Sequence, residues 1–327
     1  MKKTILIILL LVITSCSTAP KAVLKSNPSF DKWVDGLKLK AISQGISEET
    51  VNSAFADVYF NEKIVKIDRS QPEVKKTFEQ YLDQVVSQRR IKQGQEFYAE
   101  NIDDLSKVGK EYGVPPEFIT ALLGVETNYG SYFGNHSIIN SLTTLSYDKR
   151  RSAFFTKELM IALKIIDDGH IALEDMQGSW AGAMGQSQFM PSSFVGYAVD
   201  YNNDGRKDIW GTKLDVFASA SNYLHSYKFN PKEKWGREVK LPKDFNEKLL
   251  GLKVKKTVQQ WEKMGVKNKN GLALPTSSLE GSVIAPDGLG GPAYLVYDNF
   301  RVFLRWNRSL HFATSVGILA DSIRDGS

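Results

Sequence analysis

Glu126 is the residue whose type and spacing most clearly suggest chemistry. Ile119, Leu122, Leu123 and Glu126 fall at i, i+3, i+4 and i+7, which places the carboxyl group on the same helical face as three aliphatic side chains. Residues 118–125 are apolar apart from one threonine, which predicts a buried helix, although a helical glutamate is more often exposed. Burial disfavours the ionised form, so the sequence predicts a raised pKa and a general acid.

A second segment, residues 177–193, combines small residues with neutral polar and aromatic side chains. Its small residues permit close backbone approach. Its hydrogen-bonding and aromatic residues are Ser179, Gln186, Gln188, Trp180 and Phe189. This mixture suits a sugar, which offers hydroxyl groups, amides and apolar faces, and a tight helix-packing turn is the alternative interpretation.

A third segment, residues 200–208, places oxygen-bearing side chains at positions 1, 3, 5 and 9 and a glycine at position 6, as in the front of an EF-hand loop. Position 12, normally a glutamate, is Gly211. Asp215 is the candidate closing carboxylate. The predicted metal ligands are Asp200, Asn202, Asp204, Arg206 and Asp215. A turn rich in Asn, Asp and Gly that binds no metal is the alternative.

The N-terminus has the pattern of a targeting segment. Lys2 and Lys3 precede an apolar run over residues 5–13, which is shorter than the ~20 residues that span a bilayer and fits a secretory signal. Residues 13–16 resemble a bacterial lipobox, and Cys16 is the only cysteine in the chain. We therefore predict a signal peptide over 1–15, lipidation at Cys16 and a tether over 16–29, with a free thiol as the alternative. The residue after Cys16 is Ser17 and not aspartate, which in Gram-negative lipoproteins implies sorting to the outer membrane.

The composition is that of a folded globular protein, with 42% hydrophobic and 24% charged residues in a chain of 327. The net charge is +5, of which Lys2 and Lys3 contribute two. This bias is too weak to indicate a nucleic-acid partner, and basic residues do not cluster with aromatic ones.

Helical periodicity dominates the chain after the tether. The predicted helices cover residues 30–42, 72–90, 95–112, 116–126, 151–168, 214–227 and 309–324. Short strands are predicted at 281–285, 293–297 and 302–306, with a small helix within 253–265. The predicted fold class is mainly α (α+β). Its parts are an N-terminal helical region (30–94), a core (95–228), a small mixed α/β subdomain (229–300) and a closing strand and helix (301–327).

Three motifs together resemble the membrane-bound lytic transglycosylase B family of peptidoglycan-cleaving enzymes. They lie at residues 124–130, 181–193 and 305–309. The resemblance implies a lysozyme-like helical core in which Glu126 is the single catalytic residue. The residues it implies for substrate binding are Ser179, Gln188, Asn307, Arg150, Arg151, Tyr129 and Met184. Arg150 and Arg151 would meet the peptide stem, and loop 200–215 would carry Ca²⁺. Trp306 departs from the family, which more often has tyrosine there, and Gln186-Ser187 replaces a more usual Tyr-Gly.

The implied reaction breaks the β-1,4 bond between N-acetylmuramic acid and N-acetylglucosamine and forms a 1,6-anhydro ring. Many glycosidases use two carboxylates, whereas the motif around Glu126 offers one, which favours assistance by the substrate's acetamide group. A muramidase-type hydrolase and a catalytically inactive peptidoglycan-binding lipoprotein are the alternatives. The chemistry requires no cofactor, and a structural Ca²⁺ is the only ion implied. The expected partners are glycan strands, the membrane through Cys16, and proteins of cell-wall synthesis or hydrolysis, at the periplasmic face of the outer membrane.

Overall fold

The computed structural model describes residues 27–70 and 76–326, so the predicted signal peptide, Cys16 and most of the tether lie outside the described residues. The helices are α1 (Pro28–Ser43), α2 (Glu48–Ala54), α3 (Glu62–Ser70), α4 (Phe78–Val85), α5 (Gln88–Glu100), α6 (Ile102–Tyr112), α7 (Pro116–Thr127), α8 (Ile138–Tyr147), α9 (Ser152–Asp167), α10 (Pro191–Tyr197), α11 (Lys213–Ser226), α12 (Val258–Lys263), α13 (Asp298–Trp306) and α14 (Leu310–Arg324). The predicted mainly α fold class is confirmed.

The strands form two sheets. They are β1 (His136–Ser137), β2 (Gln177–Gly178), β3 (Gly236–Lys240), β4 (Lys256–Thr257), β5 (Lys267–Asn268), β6 (Glu280–Ile284) and β7 (Ala293–Val296). β1 and β2 form a two-stranded antiparallel ribbon. The other five form an antiparallel sheet in the order β4-β6-β7-β3-β5, which lies within the predicted α/β subdomain. The boundaries of that subdomain stay a prediction.

Several helices begin after a short polar side chain that accepts a backbone N–H in the first turn, the contact that stabilises an N-cap. These caps are Asn27, Ser47, Thr77, Ser87, Ser137, Thr257 and Ser309. Two predicted helices are wrong in their bounds. The helix predicted over 72–90, whose residues 72–75 lie outside the described part of the chain, is interrupted at Ser87, which caps α5. The helix predicted over 95–112 is interrupted at Asn101, which makes no such cap and instead donates from its side chain to the Phe97 carbonyl.

The strand predicted at 302–306 is also wrong, because these residues lie in helix α13. Short apolar runs do not distinguish a strand from a buried helix. Phe300 and Phe303 are three residues apart on one helical face and both are fully buried. The segment is therefore a helix, and its spacing becomes visible only when residues before 302 are included.

Helix α7 lies at the centre of the largest hydrophobic core and packs mainly against α14 and α5. Ile119, Leu122 and Leu123 are each 0% exposed, as the apolar sequence predicts. A second core forms around α8 and α9, and a third lies within the five-stranded sheet. In the described part of the chain, no helix combines the length and apolar character needed to cross a membrane.

Candidate active site

Helix α7 carries Glu126 at its C-terminal end and is followed by a sharp turn. Asn128, Tyr129 and Gly130 have φ values of 51°, 61° and 78°, three successive left-handed conformations. Such strain in non-glycine residues concentrates at functional sites. A Cβ atom at Gly130 would lie 2.3 Å from Oε1 of Gln186, so only glycine fits there. The turn brings residues 177–190 against the end of α7.

Tyr129 holds this turn against α5. Its hydroxyl donates to the Arg90 carbonyl at 2.7 Å, and its ring lies 5.5 Å from that of Phe97. The same ring covers Gly124, where a Cβ would approach within 2.6 Å. Burial raises the pKa of the Tyr129 phenol. The Tyr129 hydroxyl is thus bonded inside the protein, where the residue packs the turn against α5, and its contact with substrate stays a prediction.

The Glu126 side chain is half-buried, and its Oε1 accepts a hydrogen bond from the indole Nε1–H of Trp306 at 2.7 Å. These residues are 180 positions apart and meet because α13 ends beside the end of α7. Trp306 was absent from the predicted site residues. The available sequence signal was the tryptophan at position 306, where the family more often has tyrosine. The raised pKa of Glu126 stays a prediction.

The loop after β2 is stabilised by Ser179. Its Oγ accepts the backbone N–H groups of Ala181 and Ala183 at 3.3 and 3.0 Å. A hydroxyl oxygen that already accepts two bonds still has its own O–H to donate. Ser179 therefore can present a hydrogen-bond donor to a ligand while it holds the loop.

Gln188 is also held in a defined orientation. It has a φ of 47°, and its Nε2 donates to the carbonyls of Phe133 and Gly185 at 3.1 and 2.9 Å. Both amide N–H donors are thus used, which makes its carbonyl oxygen the group suited to a ligand. Met184 is 0% exposed, so its predicted substrate contact is wrong. Its backbone instead pairs with that of Phe189 inside the loop.

Asn307 directly follows Trp306 and is exposed. Its Oδ1 accepts the Ser309 backbone N–H at 3.1 Å, which directs the amide nitrogen away from that contact. The ring of Phe189 lies 5.3 Å from that of Trp306. The structure thus gathers Glu126, Trp306, Asn307 and the Gln188–Phe189 segment at one place.

Arg150 and Arg151 do not belong to the group of residues around Glu126. Both donate to the carboxylate of Asp68, whose side chain is 1% exposed. The two arginines line a cavity of about 840 Å³ together with α1 residues that include Lys32 and Trp33. Glu126 is not among the residues that line this cavity. The predicted arginine pair therefore belongs to a separate basic pocket.

The loop at 200–215 is held by hydrogen bonds from its own side chains to its backbone. Asp200 accepts the N–H groups of Asp204 and Gly205, and Asn202 accepts that of Asp204. Asp215, however, is fully buried and accepts the N–H groups of Tyr201 and Asp208, both at distances near 2.9 Å.

The predicted metal ligands do not form a complete site in this arrangement. Among residues 27–70 and 76–326, no group of three or more His, Cys, Asp or Glu side chains is placed to hold a metal ion. Asp204 directs an oxygen to the backbone N–H of Arg206 at 2.9 Å. In this arrangement the side-chain oxygens stabilise the loop itself, and the metal-ligand set stays a prediction.

Together, the helical fold and the site define a class of protein in which one half-buried glutamate lies beside a serine-containing loop and an asparagine near the C-terminus, an arrangement suited to acid–base chemistry. Comparison with known proteins makes the class specific. The chain matches the family described as Transglycosylase SLT domain over residues 29–321, and it belongs to this family. The resemblance inferred from the three motifs is confirmed.

Individual relatives agree with this membership. The chain is 30% identical over 250 residues to membrane-bound lytic murein transglycosylase B of Escherichia coli K12, a match that covers 74% of this chain and 66% of that protein. It is similar to SltB3 of Pseudomonas aeruginosa in complex with NAG-anhNAM-pentapeptide, with a TM-score of 0.87 and 41% identity over 91% of this chain and 80% of that one. SltB1 of the same organism gives a TM-score of 0.78 at 28% identity over 91% and 99% of the two chains.

Proposed function

We propose that the protein is a peptidoglycan lytic transglycosylase. It cleaves the β-1,4 bond between N-acetylmuramic acid and N-acetylglucosamine and leaves 1,6-anhydro-N-acetylmuramic acid. The observation that carries this proposal is Glu126 at the end of a buried helix, oriented by an indole N–H, in a member of the transglycosylase family. A relative's structure with a NAG-anhNAM-pentapeptide supports the substrate class.

In the first step, protonated Glu126 donates its proton to the glycosidic oxygen as the bond from that oxygen to the anomeric carbon breaks. The acetamide oxygen of the muramic acid attacks the anomeric carbon, so that no protein nucleophile is needed. Ser179 supports this step by donating its O–H to the acetamide, because its oxygen is already fixed by two backbone N–H groups.

In the second step, ionised Glu126 takes the proton of the C6 hydroxyl. The C6 oxygen then attacks the anomeric carbon, the bond to the acetamide oxygen breaks, and the anhydro ring closes without addition of water. Gln188 and Asn307 hold the sugar through their amide groups. Both lie in segments that contact the end of α7 or Trp306.

Mass spectrometry of products from purified sacculi tests this proposal. We expect muropeptides that end in the anhydro sugar. Products that end in reducing N-acetylmuramic acid would establish the muramidase alternative. Binding to sacculi without release of any fragment would establish the inactive binding protein.

The basic pocket at Arg150 and Arg151 supports a contact with the acidic peptide stem. Each arginine side chain is about 40% exposed although its guanidinium is bonded to Asp68, so each retains donors that can reach a ligand carboxylate. Asp68 fixes the direction of both groups before substrate arrives. Comparison of glycan strands with and without peptide stems tests this contact through the difference in KM.

Calcium binding at loop 200–215 is a separate proposal. It is supported by the oxygen ligands at loop positions 1, 3 and 5 and by an Escherichia coli lytic transglycosylase whose structure is in complex with calcium. Binding would require Asp215 or another oxygen donor to turn toward the ion, because Asp215 is bonded to two backbone N–H groups.

Lipidation at Cys16, with attachment to the periplasmic face of the outer membrane, is likewise proposed. It is supported by the lipobox-like residues 13–16, and the Escherichia coli relative is membrane-bound. Fractionation of cells that produce the wild type or Cys16→Ala tests it, since loss of the anchor should move the protein from the membrane fraction to the soluble fraction. Cross-linking in the same cells would test for partners among proteins of cell-wall synthesis and hydrolysis.

A further inference from the structure

We propose that Trp306 is a positioning residue that assigns different roles to the two carboxyl oxygens of Glu126. This inference rests on the proposed function. The indole Nε1–H donates to Oε1 at 2.7 Å, and an indole nitrogen can donate but cannot accept a hydrogen bond. A carbonyl oxygen is a better acceptor than the oxygen that carries the acid proton, so this contact favours the protonated form of Glu126 in which the proton is on Oε2. Trp306 thus makes Oε2 the oxygen that delivers the proton and later recovers one.

The surroundings of Trp306 restrict the direction of its N–H. Its ring lies 4.7 Å from that of Tyr223 and 5.3 Å from that of Phe189, both of which are buried. The Tyr223 hydroxyl donates to the Arg305 carbonyl at 2.6 Å, which fixes the last turn of α13. A donor held by packing and backbone contacts costs little reorganisation during reaction, the condition under which such groups assist catalysis most.

A donor-only partner also suits a residue that alternates between acid and base. A tyrosine hydroxyl, the more usual group at this position in the family, can donate or accept and could therefore bond to either form of the carboxyl group in two ways. The indole can only donate, so it cannot accept the acid proton of the carboxyl group. It also favours the ionised carboxylate, because hydrogen bonds to a charged acceptor are stronger than those to a neutral one.

The matched pair Trp306→Phe and Trp235→Phe tests the proposal kinetically. Trp235 also donates its indole N–H to a carboxylate, that of Asp321, at 2.8 Å, but outside the group of residues around Glu126. We expect Trp306→Phe to lower kcat about 10- to 100-fold, the effect of one charge-assisted hydrogen bond, with KM changed less than about threefold. Trp235→Phe should keep kcat within about twofold and lower Tm. Equal kcat in wild type and Trp306→Phe, or a loss in KM alone, would overturn the proposal.

A spectroscopic measurement tests the contact between Trp306 and Glu126 without the Trp306→Phe variant, which must fold to be informative, and without the reaction. In ¹⁵N-labelled protein, the indole N–H signal of Trp306 should move upfield in Glu126→Gln, because a neutral amide is a weaker acceptor than a carboxylate. The signal of Trp235 should stay in place. An unchanged Trp306 signal would refute the contact. Since no substrate is present, this result is independent of whether sacculus digestion yields anhydro products.

Discussion

Two tryptophans, Trp235 and Trp306, donate an indole N–H to a carboxylate, and the surroundings of the two hydrogen bonds give them different functions. Trp235 is 2% exposed and lies against Gly317, where a Cβ would come within 2.2 Å of its ring. Its acceptor, Asp321, also forms an ion pair with Arg324 at 3.0 Å. Trp306 is half-buried and its acceptor ends a buried helix at a strained turn. The same hydrogen bond therefore holds the fold at one carboxylate and orients a reactive group at the other.

The largest expected effect distinguishes the two carboxylates that accept an indole N–H, Glu126 and Asp321. Glu126→Gln keeps the shape of the side chain and removes the proton donor, so kcat should fall by at least about 10²–10⁴, the usual contribution of acid–base catalysis. Asp321→Asn should leave sacculus digestion unchanged and lower Tm. Turnover of Glu126→Gln near the wild-type rate, measured with circular dichroism as the control for folding, would show that the comparison is wrong.

The next effect concerns Asp68, a buried carboxylate that orients Arg150 and Arg151 and takes no part in the acid–base step. An asparagine there leaves one acceptor for two guanidinium groups, and loss of charge-assisted hydrogen bonds costs about 1.5–3 kcal/mol each. We expect Asp68→Asn to lower the free energy of unfolding in urea by about 2–3 kcal/mol. It should raise KM for stem-bearing glycan more than it lowers kcat. A wild-type KM in a folded variant would remove the basic pocket from substrate binding.

A smaller effect is expected for calcium at Asp215. A ligand that binds only the folded state raises stability by about 2.7 kcal/mol at a free concentration of 100 times Kd. Calcium should therefore raise Tm in the wild type. If chelator leaves the wild-type Tm unchanged, Asp215 is purely a structural carboxylate.

The sequence predicted the parts of the fold and site that follow from local pattern. The burial of α7, the position of Glu126 on it and the helical class all follow from spacing and composition. The helical periodicity continues through Ser87, so the pattern alone does not show that Ser87 ends one helix and caps the next. Part of α13 was predicted as a strand because a window of five residues is too short to distinguish a strand from a helix. Trp306 could not be placed beside Glu126, since no local rule reports a contact across 180 residues. Met184 and Tyr129 share the motifs of the site, yet motif membership does not reveal which side chains face inward.

The smallest expected effect is at Glu117, the other glutamate of α7. It is buried, and this burial raises the pKa of its carboxyl group, with Arg324 opposing the shift. A carboxyl group whose pKa is raised by folding stabilises the protein below its unfolded pKa, and this contribution is lost as pH rises through the folded value. Glu117→Gln should therefore raise Tm at pH 7 by roughly 1–3 °C, on the scale of about 2–4 °C per kcal/mol. The gain should shrink toward pH 4, and sacculus digestion should not change. A lower Tm at pH 7 would mean that the electrostatic attraction of Arg324 outweighs burial, so that Glu117 belongs with Asp321 among carboxylates stabilised by a cation.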